Sequence, residues 1–240
     1  METKAPGLVR MKNRRRRGEN MKNNFYLNRG YTAELRAAGE DENRTGSIIE
    51  GLAAVCEQET IIRTPFGEFV EIIKAGAFAK TDFSDVRLLV NHDMNGIPLA
   101  RSRNNNNSNK PNTMQLSADD EGIHIRADID TVNNEQARAA YSAVDRGDID
   151  GMSFCFFVSP KNQRTSERDG KKVREILAVD KVIEVSIVTF PAYEGTNIDT
   201  RSLDSDKRWL DSFRALDSAK QKPDYRANAI MTMYRGVKNK

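Results

Sequence analysis

Three places in the sequence set residues capable of nucleophilic or proton-transfer chemistry into apolar strand-like surroundings. Asn91-His92-Asp93 directly follows the apolar run Val86–Val90. A strand end that delivers an imidazole and a carboxylate is good placement for a base, because the scaffold is rigid and the end is reachable. The same three residue types also favour plain polar turns. Gly151 to Val158 alternates, with Met152, Phe154, Phe156 and Val158 on one face and Ser153, Cys155 and Phe157 on the other. A hydroxyl and a thiol thus share a face. Serine becomes a useful nucleophile only when a base takes its proton, and a small buried serine bonded to a neighbour is the plainer alternative. Glu184 lies within Val182 to Phe190, where both faces are largely apolar. An isolated buried carboxylate costs several kcal/mol unless paired. Its partner is either one of the arginines or a histidine, and the acid of a catalytic triad is such a group.

These residues need elements to hold them. Strand patterns cover Ile48–Val55, Thr60–Ile62, Phe66–Ile73, Val86–Val90, Met114–Leu116, Gly122–Asp130, Gly151–Val158 and two runs within Val173–Phe190. Between Gly122 and Asp130, Ile123, Ile125, Ala127 and Ile129 face inward, which turns His124 to solvent. Residues 133–146 predict a helix, capped by Asn133 or Asn134 and ended by Gly147. Lys74–Asp82 reads as a turn and short helix, Ser159–Lys172 as a polar hairpin loop, and 28–46 as a polar linker. Residues 104–112 form a low-complexity surface loop with four consecutive asparagines. The tail from Arg201 predicts one amphipathic helix, with Leu203, Leu210, Phe213 and Leu216 on a face. The expected fold is mainly β: a closed or partly closed antiparallel barrel of about seven strands flanked by a few helices.

Charge divides the 240 residues differently from the net value of +3. Residues 1–22 carry eight Lys/Arg against two Glu, and residues 201–240 carry ten against five Asp. Residues 23–200 hold 20 against 28 acids. The acidic body argues against a nucleic-acid-binding main surface. No apolar run reaches the roughly 18 residues of a membrane span, and Arg14–Arg17 leads into Gly-Glu-Asn rather than an apolar stretch. Two cysteines, Cys56 and Cys155, make neither a CxxC nor a disulfide framework. With only two histidines, His-rich metal sites are excluded. The expected division is a basic, largely disordered segment 1–45, a catalytic body 46–195 and a basic, part-helical tail 196–240. Met1 and Met21 both stand as possible starts.

Several ordered stretches resemble one family. They are E-G-L-A-A-V at 50–55, F-G-E-F-V-E-I-I-K-A-G-A-F at 66–78, D-V-R-L-L-V-N-H-D at 85–93 and P-L-A-R-S at 98–102. D-D-E-G-I-H-I-R-A-D-I at 119–129, G-D-I-D-G-M-S-F at 147–154 and I-E-V-S-I-V-T-F-P-A-Y at 183–193 follow. Together they are similar to the tailed-phage prohead proteases, serine peptidases that mature phage capsids. The resemblance implies Ser153 as nucleophile, His92 as general base and Glu184 as the residue orienting the imidazole, with no cofactor and no metal. It also implies a fold related to the herpesvirus capsid protease, a β-barrel that works as a dimer. The third triad member there is a second histidine, so His124 and Asp93 stand as alternatives to Glu184. The implied substrates are the scaffolding region of the capsid protein, other prohead proteins and the protease itself. The implied place of action is the assembling prohead in the host cytoplasm. Cys155 stands where the family commonly has glycine, which either narrows the site or supplies a rival thiol nucleophile.

Overall fold

The computed structural model describes residues 25–32, 35–40, 46–103, 112–190 and 200–220. Thirteen strands and two α-helices form within them, in three sheets. The first sheet holds β1 (Phe25–Thr32), β10 (Gly151–Val158), β13 (Lys181–Val188), β6 (Arg87–Val90) and β7 (Ala100–Arg101), side by side in that order. The second orders β2 (Leu35–Glu40), β3 (Ser47–Val55), β9 (Gly122–Ile129) and β8 (Met114–Ala118). The third orders β11 (Gln163–Arg168), β12 (Lys171–Ile176), β5 (Gly67–Ile73) and β4 (Thr60–Thr64).

A mainly β architecture is what the alternating apolar patterns require; the closed or partly closed antiparallel barrel that was expected is not shown. None of the three sheets closes among the described residues. Two pairings, β12 with β5 and β13 with β6, are parallel rather than antiparallel. The strand number also exceeds the expectation, because polar segments supply strands. Phe25–Thr32 and Leu35–Glu40 pair with β10 and β3, so the stretch read as a linker is largely sheet. Gln163–Arg168 pairs with β12 where a loop was expected; nearly all of it is exposed, so it has no apolar face to reveal it. Lys74–Asp82 is a series of turns without a helix. The expectations for residues 1–24 and 104–111 lie outside the described residues.

The main core joins residues of the first two sheets, the ends of β5 and β12 in the third (Ile73 and Ile176), and the helix α1 (Glu135–Asp145). Leu27, Ile49, Ile125, Phe154, Phe156 and Val185 are among its fully or nearly fully buried members. The Phe154 and Phe156 rings stack with centroids 4.6 Å apart. The Asn134 side chain caps α1 by accepting from the Gln136 and Ala137 N–H groups, and Ala137, Ala140 and Val144 face inward at helical spacing. Gly147, at φ 75°, ends the helix in the left-handed region.

The helix α2 (Thr200–Lys220) seats Trp209, Leu210 and Phe213 against Ile62 and Phe69 in a separate cluster. The expected face thus includes Leu210 and Phe213, with Trp209 added; the Leu203 and Leu216 side chains lie outside the description. Asp206 of the same helix is fully buried between two arginines. It bonds Arg29 at 2.8 Å and Arg174 at 3.0 Å, while Glu71 bonds Arg29 at 2.5 Å and Arg174 at 3.3 Å. Burial opposes the Arg29 charge, but the Asp206 and Glu71 carboxylates outweigh it and hold its pKa above the ordinary value. Among the described residues, no helix is long and apolar enough to cross a membrane.

Candidate functional site

The site lies on the face of the first sheet opposite the main core. Antiparallel pairing of β10 and β13 sets Ser153 opposite Ser186 and Cys155 opposite Glu184. Directly opposed residues share a face with Cβ atoms about 4.5–5.5 Å apart. All four side chains are therefore neighbours, and all four are buried. On the other flank of β10 the register puts Gly30 of β1 opposite Ser153.

A single extra residue makes this arrangement possible. The β10–β13 register shifts between Cys155 and Phe156, so Cys155 opposes Glu184 while Phe156 opposes Val182. Ile183 is the unpaired residue of a β-bulge. Uninterrupted alternation would send Val182 and Glu184 to the same face. With the bulge, Val182, Val185 and Ile187 enter the core, and Glu184 and Ser186 turn to the opposite side.

His92 reaches this face from the turn after β6. Asn91 and His92 both take positive φ, 49° and 60°, which is costly for residues with a Cβ but is best tolerated by Asn among them. The turn is held from several sides. The Asn91 N–H donates to Ile187 O at 2.9 Å, and the Asp93 N–H to Val90 O at 3.0 Å. The Asn91 side chain and Thr189 bond in both directions, with the Asn91 amide donating to Thr189 Oγ1 and accepting the Thr189 N–H. The His92 main-chain N–H donates to Ser186 Oγ at 3.1 Å.

The imidazole then meets the acid. His92 Nδ1 lies 2.7 Å from Glu184 Oε1. A carboxylate accepts, so this bond places the proton on Nδ1 and leaves the Nε2 lone pair as the basic position. Ser186 Oγ donates to the second carboxylate oxygen, Oε2, at 2.6 Å. Glu184 is 1% exposed and His92 19%, so the acid is sealed while the imidazole retains an open edge. An acid with two donors, an imidazole held in one tautomer and a serine on the same face can perform base-assisted nucleophilic attack.

The other sequence candidates fall elsewhere. Asp93 is exposed and caps its own turn, its Oδ1 accepting the Asn95 N–H at 2.9 Å. His124 lies on β9 in the second sheet, with Nε2 3.0 Å from Asp119 Oδ2. Asp119, Glu121 and His124 offer ligand atoms within 4.8 Å of one another and are the residues that could hold a metal among those described. Asp119 also accepts the Glu121 and Gly122 N–H groups, which ties it to its turn. Sequence reasoning gave Ser186 no role, although its position two residues from Glu184 on a strand was a usable signal.

A family model described as caudovirus prohead serine protease matches residues 32–208. Searches of the curated proteins and of the solved structures returned no match. The family match begins at the end of β1, ends within α2, and contains Ser153, His92, Glu184 and Ser186. With most of its length inside that match, the chain belongs to the caudovirus prohead serine protease family.

Proposed function

We propose that this protease uses Ser153 as nucleophile, His92 as general base and Glu184 as the acid that orients the imidazole. The observation carrying the proposal is the 2.7 Å contact of His92 Nδ1 with a sealed Glu184 on the face that Ser153 shares. Ser153 Oγ attacks the carbonyl carbon of a peptide bond, and its proton passes to His92 Nε2. Glu184 stabilises the imidazolium. The tetrahedral intermediate collapses, the C–N bond breaks, and the leaving amine takes the proton from His92. A water then gives a proton to the freed imidazole and its oxygen to the acyl carbon, which releases the new carboxyl terminus and restores Ser153.

The substrates proposed are the scaffolding region of the capsid protein, other prohead proteins and the protease's own basic tails, cut inside the prohead by a homodimer. Co-expression with the cognate capsid protein, read by intact mass, tests this. The expected result is shortened capsid protein with the wild-type chain and full-length capsid protein with Ser153→Ala. Equal cutting by both would overturn the assignment of Ser153, and no cutting by either would overturn the protease reading.

A further inference from the structure

Five large apolar side chains stand exposed among the described residues: Met94, Ile97, Val132, Leu177 and Phe190. Three of them lie on the two segments that leave the ends of β6 and β13. Met94 is two residues past His92, a span of at most about 7 Å of chain. Phe190 directly follows Thr189, which is bonded in both directions to Asn91. Ile97 is 68% exposed and Phe190 76%.

This rim has a distinctive chemistry. Residues 94–98, Met-Asn-Gly-Ile-Pro, contain no charge in a chain that is 30% charged. Single exposed apolar residues are ordinary, but three within a few residues of Asn91-His92 or of Thr189, the bonded partner of Asn91, supply apolar surface close in the chain to a reactive group. His92, Glu184 and Ser186 already direct hydrogen bonds at one another. Affinity for a passing peptide segment then draws on groups beside the triad, where the exposed polar Asn91, Asp93, Asn95 and Thr189 alternate along the chain with the larger apolar Met94, Ile97 and Phe190.

We infer that Met94, Ile97 and Phe190 form a subsite for an apolar substrate side chain within two residues of the cleaved bond. The inference rests on His92 being the catalytic base. It names the substrate class: segments carrying Leu, Ile, Val, Met or Phe next to the cut, not segments defined by charge.

The test uses the full chain co-expressed with the cognate capsid protein, with the cut mapped by intact mass and its rate followed over time. The mapped cut carries an apolar residue within two positions. Changing that residue to Ser slows cutting by the wild-type chain about tenfold, the order expected when apolar contacts in a specificity pocket are lost. Ile97→Ser and Phe190→Ser slow cutting of the natural site similarly, and the two changes combined cost less than their product, because both remove one contact. Val132→Ser and Leu177→Ser cut as wild type does. A mapped cut without a nearby apolar residue, or rim and substrate changes that multiply independently, overturns the subsite while leaving the protease assignment standing. Loss of a dimer in the rim variants without coupling to the substrate residue makes the rim a contact between copies and also overturns it. Absence of any Ser153-dependent cutting removes the protease reading and the subsite together.

Discussion

Ser186 Oγ donates to Glu184 Oε2 at 2.6 Å while accepting the His92 main-chain N–H at 3.1 Å. One hydroxyl therefore fixes both Glu184 and the turn that carries His92. Replacing it leaves one oxygen of a buried carboxylate without this donor. Ser186→Ala is expected to slow capsid cleavage roughly 10- to 100-fold, since a hydrogen bond to a charged group is worth about 1.5–3 kcal/mol. The check is the cutting rate against the circular dichroism spectrum. An unchanged rate would remove Ser186 from the site.

Glu184→Gln keeps the shape of the acid but offers an amide that can donate to Nδ1. That favours the wrong imidazole tautomer and removes the charge facing the imidazolium. The expected loss is on the order of 10⁴-fold in rate, with the protein still folded. Asp93→Asn and His124→Gln, which leave the Nδ1 contact intact, are expected to cut at near wild-type rates. A large loss in either would mean that the triad is drawn differently.

Cys155 sits opposite Glu184 and is fully buried. If it were the nucleophile, Cys155→Ala would abolish cutting. The expectation is the reverse: Cys155→Ala cuts, and Ser153→Ala does not. Thiol labelling gives a second check. Burial, together with the carboxylates of Glu57, Asp119 and Asp120, pushes the Cys56 thiol up to about 11. A raised pKa means less thiolate at pH 8, and the thiolate is the reactive form. Neither cysteine should take iodoacetamide in the native protein, and both should in guanidinium chloride.

Asp206 balances Arg29 and Arg174 together with Glu71. Asp206→Ala leaves two buried guanidinium groups facing one carboxylate. The expected destabilisation is about 3–5 kcal/mol, the range for breaking a buried pair from one side. Urea unfolding measures it. A midpoint shift equivalent to less than about 1 kcal/mol would mean that water compensates the charge.

Strands with one strongly apolar face were legible in the sequence. Gly151–Val158 and Gly122–Ile129 alternate so regularly that Ser153 and His124 were assigned to the correct faces. The Asn133-Asn134 pair, of which Asn134 is the cap, and Gly147 marked the ends of α1 for the same local reason, because caps act within a turn. What sequence did not disclose depends on distant partners. β1 becomes a strand by pairing with β10, more than 100 residues away, and Gln163–Arg168 by pairing along an exposed hairpin. The bulge at Ile183 is equally silent, since nothing in Val-Ile-Glu says which residue stays unpaired. Glu184 was expected to be buried, but its turn toward His92 depends on that bulge and on positive φ at two consecutive non-glycine residues.

The order of strands also sets a schedule. β13 lies between the strand of Ser153 and the strand that precedes His92. A ribosome that has reached residue 180 has made the serine and the histidine but not the strand that unites them. Long-range pairing of this kind forms late, and Asp206, which anchors β1 through Arg29, is translated later still. With Glu184 as the proposed acid, the growing chain lacks the residue that holds His92 Nδ1 until nearly all of the folded body has been made. The proposed triad is thus completed by topology late in synthesis, after Ser153 and His92 have both been made.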